Sequence, residues 1–251
     1  MEAIMEMNDA IAEVYETFSK YPLRKNMDAC PCCVGAEKAH RLQSGDPATL
    51  TAEGLGFYAF KAITTWGRVE DYKHFLPRVL ELALTSEGRR QPGMCFGTIA
   101  GKLLEGEFER WPQTERGAVS NFFVATWNAF LDEDPHTGRS TKELLPALSV
   151  CCGEVTPFLE AWGKRRSLGS ALQLQSMIPP DGGSMKANNY PGGHWGSEAH
   201  QEDVRVWLLD PARKRQLEDA LDRYREAPEA DRLSCAIFFW EKLARDHGVF
   251  G

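Results

Sequence analysis

Apolar residues recur at helical spacing along almost the whole chain, and this periodicity limits its fold more than any other feature. Ile11, Val14, Tyr15 and Phe18 fall at i, i+3, i+4 and i+7, which places them on one stripe of a helix. Val119, Phe122, Phe123, Trp127 and Phe130 repeat the pattern, as do Leu217, Ala220, Leu221 and Tyr224, and then Leu233, Ile237, Trp240 and Ala244. Each stripe must be buried against another. A chain of 251 residues built this way is expected to be all-α, either an irregular helical bundle or a short HEAT-like solenoid of stacked helix pairs. One long Gly/Pro-rich loop interrupts it.

Helix starts can be read from side chains that satisfy free backbone N–H groups. Ser140 and Glu143 have the spacing of a capping box, and Thr156-Pro157 and Asp210-Pro211 each set a capping side chain before a tolerated proline. Pro77 in "HFLPRVLEL" is expected to break residues 68–85 into a short helix and a longer one. The resulting helices are 3–20, 35–43, 51–65, 68–73, 76–85, 95–106, 115–132, 141–152, 156–168, 198–209, 211–226 and 229–247. "VRVWLL" (204–209) is the best strand candidate, without an evident partner. A faint echo relates 57–84 to 122–150, each an aromatic helix ending near Thr-Trp and followed by a helix carrying Leu-Pro. The expected organisation is a helical body at 1–176, a Gly/Pro-rich loop at 177–197 and a C-terminal helical cap at 198–251 packed on the body.

Composition narrows the class of partner. The formal net charge is -7, which argues against nucleic acid, because binding phosphates needs a basic face. No run of apolar residues is long enough to span a membrane. The acidic start "MEAIMEMNDA" does not resemble a secretory signal, so a cytoplasmic protein with reduced thiols is expected, and seven cysteines is an odd number for a disulfide framework. Cys95 and Cys235, in apolar surroundings, are expected to be small buried residues.

Phosphate-loop, dinucleotide, nucleophile-elbow and zincin motifs are all missing from the sequence, which leans the reading away from an enzyme. The strongest chemical signal is "MDACPCCVGAEKAH", 27–40. Cys30 and Cys33 have the C-x-x-C spacing that suits two thiolates on one zinc ion, and His40 lies about two helical turns further on. Cys151, Cys152, His74, His194 and His200 are possible completions of such a site. Three readings stay open: a zinc site on Cys30, Cys33 and His40, a thiol redox pair, or a turn whose Cys32 and Cys33 pack inward. A second cluster, "TTWGRVEDYKHFLPR", offers Trp66, His74 and Arg78 as binding residues, with Asp71 orienting His74. The competing reading makes Trp66 and Phe75 core and Asp71 a cap. A third set of binding residues is Tyr190, His194 and Trp195 in the Gly/Pro-rich loop, since aromatics give contact area at small entropic cost.

"ACPCC", "KAITTWG" and "HFLPRVLEL" together resemble stretches of uncharacterised bacterial proteins that carry a Cys-Cys turn followed by Thr-Trp-Gly and His-Phe-Leu-Pro-Arg. The resemblance covers about residues 20–85 and implies only that the three stretches belong together. The function expected from the acidic balance and the helical layout is binding of another, basic protein, as an immunity-type inhibitor would do. The alternative is a zinc-binding domain or metalloenzyme centred on Cys30–His40, with zinc as the one cofactor considered.

Overall fold

The computed structural model describes residues 6–24, 26–35, 42, 49–136, 139–179 and 193–249. Among these residues there are eleven α-helices and no strand, so the all-α expectation holds. They are α1 (Met7–Phe18), α2 (Ala52–Lys61), α3 (Val69–Ala83), α4 (Phe96–Glu105), α5 (Gln113–Phe130), α6 (Thr141–Cys152), α7 (Thr156–Gly163), α8 (Leu168–Met177), α9 (Glu198–Leu209), α10 (Pro211–Arg223) and α11 (Ala230–Asp246). Among the described residues no helix is long and apolar enough to cross a membrane. The chain divides into two compact units, Met1–Ala125 and Thr126–Gly251.

In the first unit α3 is the central element. Tyr72, Phe75, Leu76, Val79 and Leu80 on it are at most 1% exposed, and α1 and α2 pack on it. Pro77 does not break this helix; α3 runs through it, which corrects the split expected from the sequence. An interior proline costs about 3 kcal/mol, whereas each fully buried large side chain contributes about 1.5–3 kcal/mol. Five such side chains flanking the proline outweigh the lost hydrogen bond. Asp71 accepts the Arg68 backbone N–H at 2.7 Å and so caps the first turn. Its carboxylate is held by Arg24 at 2.7 and 2.5 Å.

The 3₁₀ turn Pro92–Met94 lies against α2 through two glycines. A Cβ on Gly93 would sit 2.1 Å from the Gly56 carbonyl oxygen and 2.5 Å from the Phe60 nitrogen. Only a residue without a Cβ at position 93 allows this approach, whereas a Cβ on Gly56 would stand 2.8 Å from the Gln91 Cβ. Further along, Glu115 of α5 is fully buried, accepts the Tyr21 hydroxyl at 2.6 Å and meets the ammonium groups of Lys20 and Lys73 at 2.7 Å each. Lys73 in turn lies 4.2 Å from the Trp111 ring centre.

In the second unit α8 packs against α6, α10 and α11, and α9 packs against α7. Helix α8 is absent from the sequence reading, and Gln173 shows why. Its side chain is fully buried, yet it is polar: it donates to the carbonyls of Glu133 and Arg139 at 3.0 and 2.7 Å and accepts the Thr141 N–H at 3.1 Å. A buried amide hides the apolar period. "VRVWLL" belongs to α9 and is not a strand. Val204 and Leu208, four apart, are buried while Val206 is 62% exposed, which is helical spacing. Asp210 caps α10 as expected, accepting the Ala212 N–H at 2.7 Å. Ser140 caps α6 through the Lys142 N–H at 3.2 Å, one residue earlier than a capping box requires, and Val155 rather than Thr156 occupies the cap position of α7.

A candidate thiolate metal centre

Residues 26–35 form a short loop held to the turn after α2 by backbone pairing. The Cys30 N–H donates to the Thr65 carbonyl at 2.9 Å, the Gly67 N–H donates to the Asp28 carbonyl at 2.7 Å, and Ala29 pairs with Trp66 as an antiparallel bridge. Within the loop, Cys33 and Val34 both donate their N–H groups to the Cys30 carbonyl, at 3.0 and 2.9 Å. Pro31 supplies the fixed φ that such a tight turn favours at its second position. The supporting turn is itself strained. Ile63 sits at φ 69°, in a left-handed conformation that a β-branched residue adopts rarely, and Gly67 sits at φ 73°.

The result is a cluster of three sulfurs. The Sγ atoms of Cys30, Cys32 and Cys33 lie within 4.8 Å of one another. Cys30 and Cys32 are 2.8 Å apart and Cys32 and Cys33 3.6 Å apart. Cys32 is exposed and the other two half-buried, so the reading in which Cys32 and Cys33 pack inward is corrected. Donors converge on Cys30: the Cys32 thiol first, then the Cys32 backbone N–H, then the thiol and N–H of Cys33. They lower the Cys30 thiol from its usual range. The Cys32 thiol, facing the sulfurs of Cys30 and then Cys33, is pushed up to about 11.

Around zinc at about 2.3 Å from each sulfur, tetrahedral thiolates stand about 3.8 Å apart. The Cys32–Cys33 distance already fits. The Cys30–Cys32 distance must open by about 1 Å on binding, which rotation of the exposed Cys32 side chain supplies. Cys30 and Cys33 were expected from their spacing. Cys32 was missed, although a turn closed between positions 30 and 33 carries all three sulfurs on one side. His40 lies outside the described residues, and among the described residues no histidine or carboxylate joins the three sulfurs in one cluster.

The other expected site residues are placed as follows. Trp66 is 2% exposed and packs edge-on against Tyr58, with its indole Nε1 buried and without a hydrogen-bond partner. It lines a cavity of about 510 Å³ together with Leu50, Thr51, Glu53 and Phe57. His74 does not pair with Asp71, which corrects that expectation; its Nδ1 donates to the Tyr21 carbonyl at 2.7 Å, while Asp71 is taken by Arg24 and the α3 cap. The Arg78 guanidinium donates to the Leu50 carbonyl at 2.9 Å and pairs with Glu81 at 2.6 Å.

In the second unit His194 is exposed and Trp195 half-buried, and Tyr190 lies outside the described residues. His200 Nδ1 bonds the Ser149 hydroxyl at 2.8 Å, and Cys151 is buried with its thiol pushed up by desolvation. Cys95 is half-buried, and Cys235, expected inside, is exposed because Leu233, Ala236 and Trp240 turn the opposite face of α11 to the core. Comparison with protein-family models, with curated proteins and with solved structures found no match for this chain.

Proposed function

We propose that this chain is a thiolate metal-binding protein that holds one zinc ion through Cys30, Cys32 and Cys33. The observation that carries the reading is the convergence of three sulfurs within 4.8 Å on a loop fixed by backbone pairing. Three thiolates leave one tetrahedral position for solvent or another ligand, and backbone N–H groups aimed at Cys30 favour its ionised form. This reading leads over the broader expectation of an acidic protein-binding scaffold because the sulfur cluster is a specific geometry and net charge is not. Reduced, metal-free protein titrated with Co²⁺ is expected to show thiolate-to-metal charge-transfer bands at one ion per chain, and zinc is expected to bleach them. Serine at 30, 32 or 33 is expected to weaken the bands in each case. Fully reduced thiols that give no charge-transfer band would refute the reading.

The 2.8 Å separation of Cys30 and Cys32 favours a second reading, a redox dithiol. Here the Cys30 thiolate and the Cys32 thiol close a disulfide, passing two electrons to an oxidant such as diamide and releasing the one proton that the Cys32 thiol carries; diamide takes up that proton and one from water as it becomes the hydrazine. Peptide mapping after mild diamide treatment tests it: a Cys30–Cys32 crosslink supports it, and full retention of both thiols removes it.

A further inference from the structure

The second unit contains a groove of about 830 Å³ bounded by Gly163 at the end of α7 and Arg166 beyond it, by α10 residues between Ala212 and Asp222, and by Ser234 and Ile237 of α11. Arg213 is its anomaly. The residue is only 8% exposed, and burying a guanidinium is costly unless it is paired and fully hydrogen-bonded. Its Nη1 donates to Gln216 at 2.8 Å and its plane lies 4.5 Å from the Trp207 ring centre. Among the described residues it makes no direct ion pair, Asp210 acting on it only through longer-range charge, and its Nε is buried with no hydrogen-bond partner. Gly163 makes the placement possible, since a Cβ there would stand 2.6 Å from Nη1.

The surrounding charges make the contrast sharp. Lys214 is shared by Glu218 and Glu241 at 2.7 and 3.0 Å, Arg225 sits on Asp222 at 3.3 Å, and Arg165 sits on Asp132 at 3.0 Å. Arg166 is exposed and donates only to the carbonyls of Gly163 and Arg165, and exposed Arg215 has no ion-pair partner among the described residues. Three arginines thus line the groove without a carboxylate in direct ion-pair contact; Arg213 is close enough to feel the charge of Asp210 first and then of Arg166 and Arg215.

We infer that this groove binds the phosphate group of a small phosphorylated molecule between Arg213, Arg166 and Arg215. Guanidinium forks match a phosphate dianion in shape and charge. A nucleic acid is disfavoured, because Glu218, Asp219 and Asp222 line the same groove and would repel a continuous polyanion. Asp219, which has no ion-pair partner among the described residues, is free to take a hydroxyl or ammonium group on the rest of the ligand.

The test is calorimetric titration of the full chain with inorganic phosphate, glycerol 3-phosphate and succinate, at ionic strength held constant with chloride. Saturable binding of both phosphates at one site per chain is expected, with succinate clearly weaker. R166A and R215A alter exposed residues, so they are expected to leave the phosphate-free melting temperature unchanged while each weakens binding about tenfold. R213K keeps the charge but loses the fork, and is expected to weaken binding as well. No saturable heat from either phosphate overturns the proposal, and so does an R166A/R215A double variant that binds like wild type. Equal binding of succinate overturns the assignment to phosphate. Stabilisation by phosphate that is identical in wild type and variants is a bulk salt effect and also counts against it.

Discussion

Replacing Glu115 by glutamine removes one charge from a buried network and leaves its partners in place. The carboxylate is fully buried, with Lys73 and Lys20 at 2.7 Å and the Tyr21 hydroxyl at 2.6 Å. The Lys20 side chain is half exposed and can return to water; that of Lys73 is 8% exposed and cannot. Breaking a buried pair by deleting one partner costs about 3–5 kcal/mol, because the remaining charge is stranded. The Trp111 face beside Lys73 is present in both proteins and does not offset this, so the loss is expected at about 3–5 kcal/mol. E107Q is the control: it breaks the Arg110–Glu107 pair, whose side chains are 69% and 62% exposed, and is expected to cost less than about 1 kcal/mol.

Urea titration at neutral pH, read by hydrogen exchange in peptides from α1 and α3, isolates the effect in the first unit. The same network has a pH signature. Burial raises the Glu115 carboxyl, but hydrogen bonds from Lys20, Lys73 and Tyr21 outweigh it and leave it below its ordinary value of 4.5. A group depressed in the folded state stabilises above its unfolded pKa and loses that contribution as pH falls through the folded one. Wild type is therefore expected to lose stability below about pH 4.5 more steeply than E115Q. If E115Q matched E107Q in cost, with an unchanged acid limb, the network would be energetically idle and the reasoning refuted.

Asp71→Asn, which keeps size but weakens the hold on Arg24 and the α3 cap, is expected to cost about 2 kcal/mol by urea titration. Asp134 is gripped by both Arg232 Nη atoms, at 2.8 and 3.0 Å, and first this hydrogen bonding and then the His136 N–H outweigh burial to lower its carboxyl. Its contribution is expected above the unfolded carboxylate pKa and to fade as pH falls, so exchange in α11 peptides rises in acid for wild type and is already raised and less pH-dependent in D134N. Trp240 donates its indole N–H to the Leu208 carbonyl at 2.7 Å, fully buried; phenylalanine there strands that carbonyl and is expected to cost about 1–3 kcal/mol by thermal melting.

The elements whose burial follows apolar spacing were legible in the sequence. α1 buries Ala10, Val14 and Phe18, and α11 buries Leu233, Ala236, Trp240, Leu243 and Ala244, close to the stripes read from the sequence. Legibility ended where a tertiary term overrode a local one. α3 passes through Pro77 because its buried flanks outweigh the proline, and α8 escaped notice because Gln173 satisfies three loop groups from inside the core. At the sulfur cluster the C-x-x-C spacing pointed to Cys30 and Cys33. Cys32 depends instead on the closed turn and on the pairing of residues 28–30 with 65–67, a contact no local spacing encodes.

The contact between Gly56 and Gly93 has a consequence for how the sequence can drift. With a carbonyl 2.1 Å from where any Cβ on residue 93 would stand, almost every substitution at that position is closed, though neither glycine carries chemistry. In a saturation-mutagenesis map Gly93 would glow as intensely as a catalytic residue. The three cysteines, by contrast, sit on a loop whose register is held by main-chain atoms, so under the proposed metal-binding role their loss would silence a metal signal while sparing the fold. On the proposed reading, intolerance to substitution and chemical role come apart in this chain, and a screen that tests that reading has to measure metal binding as well as survival.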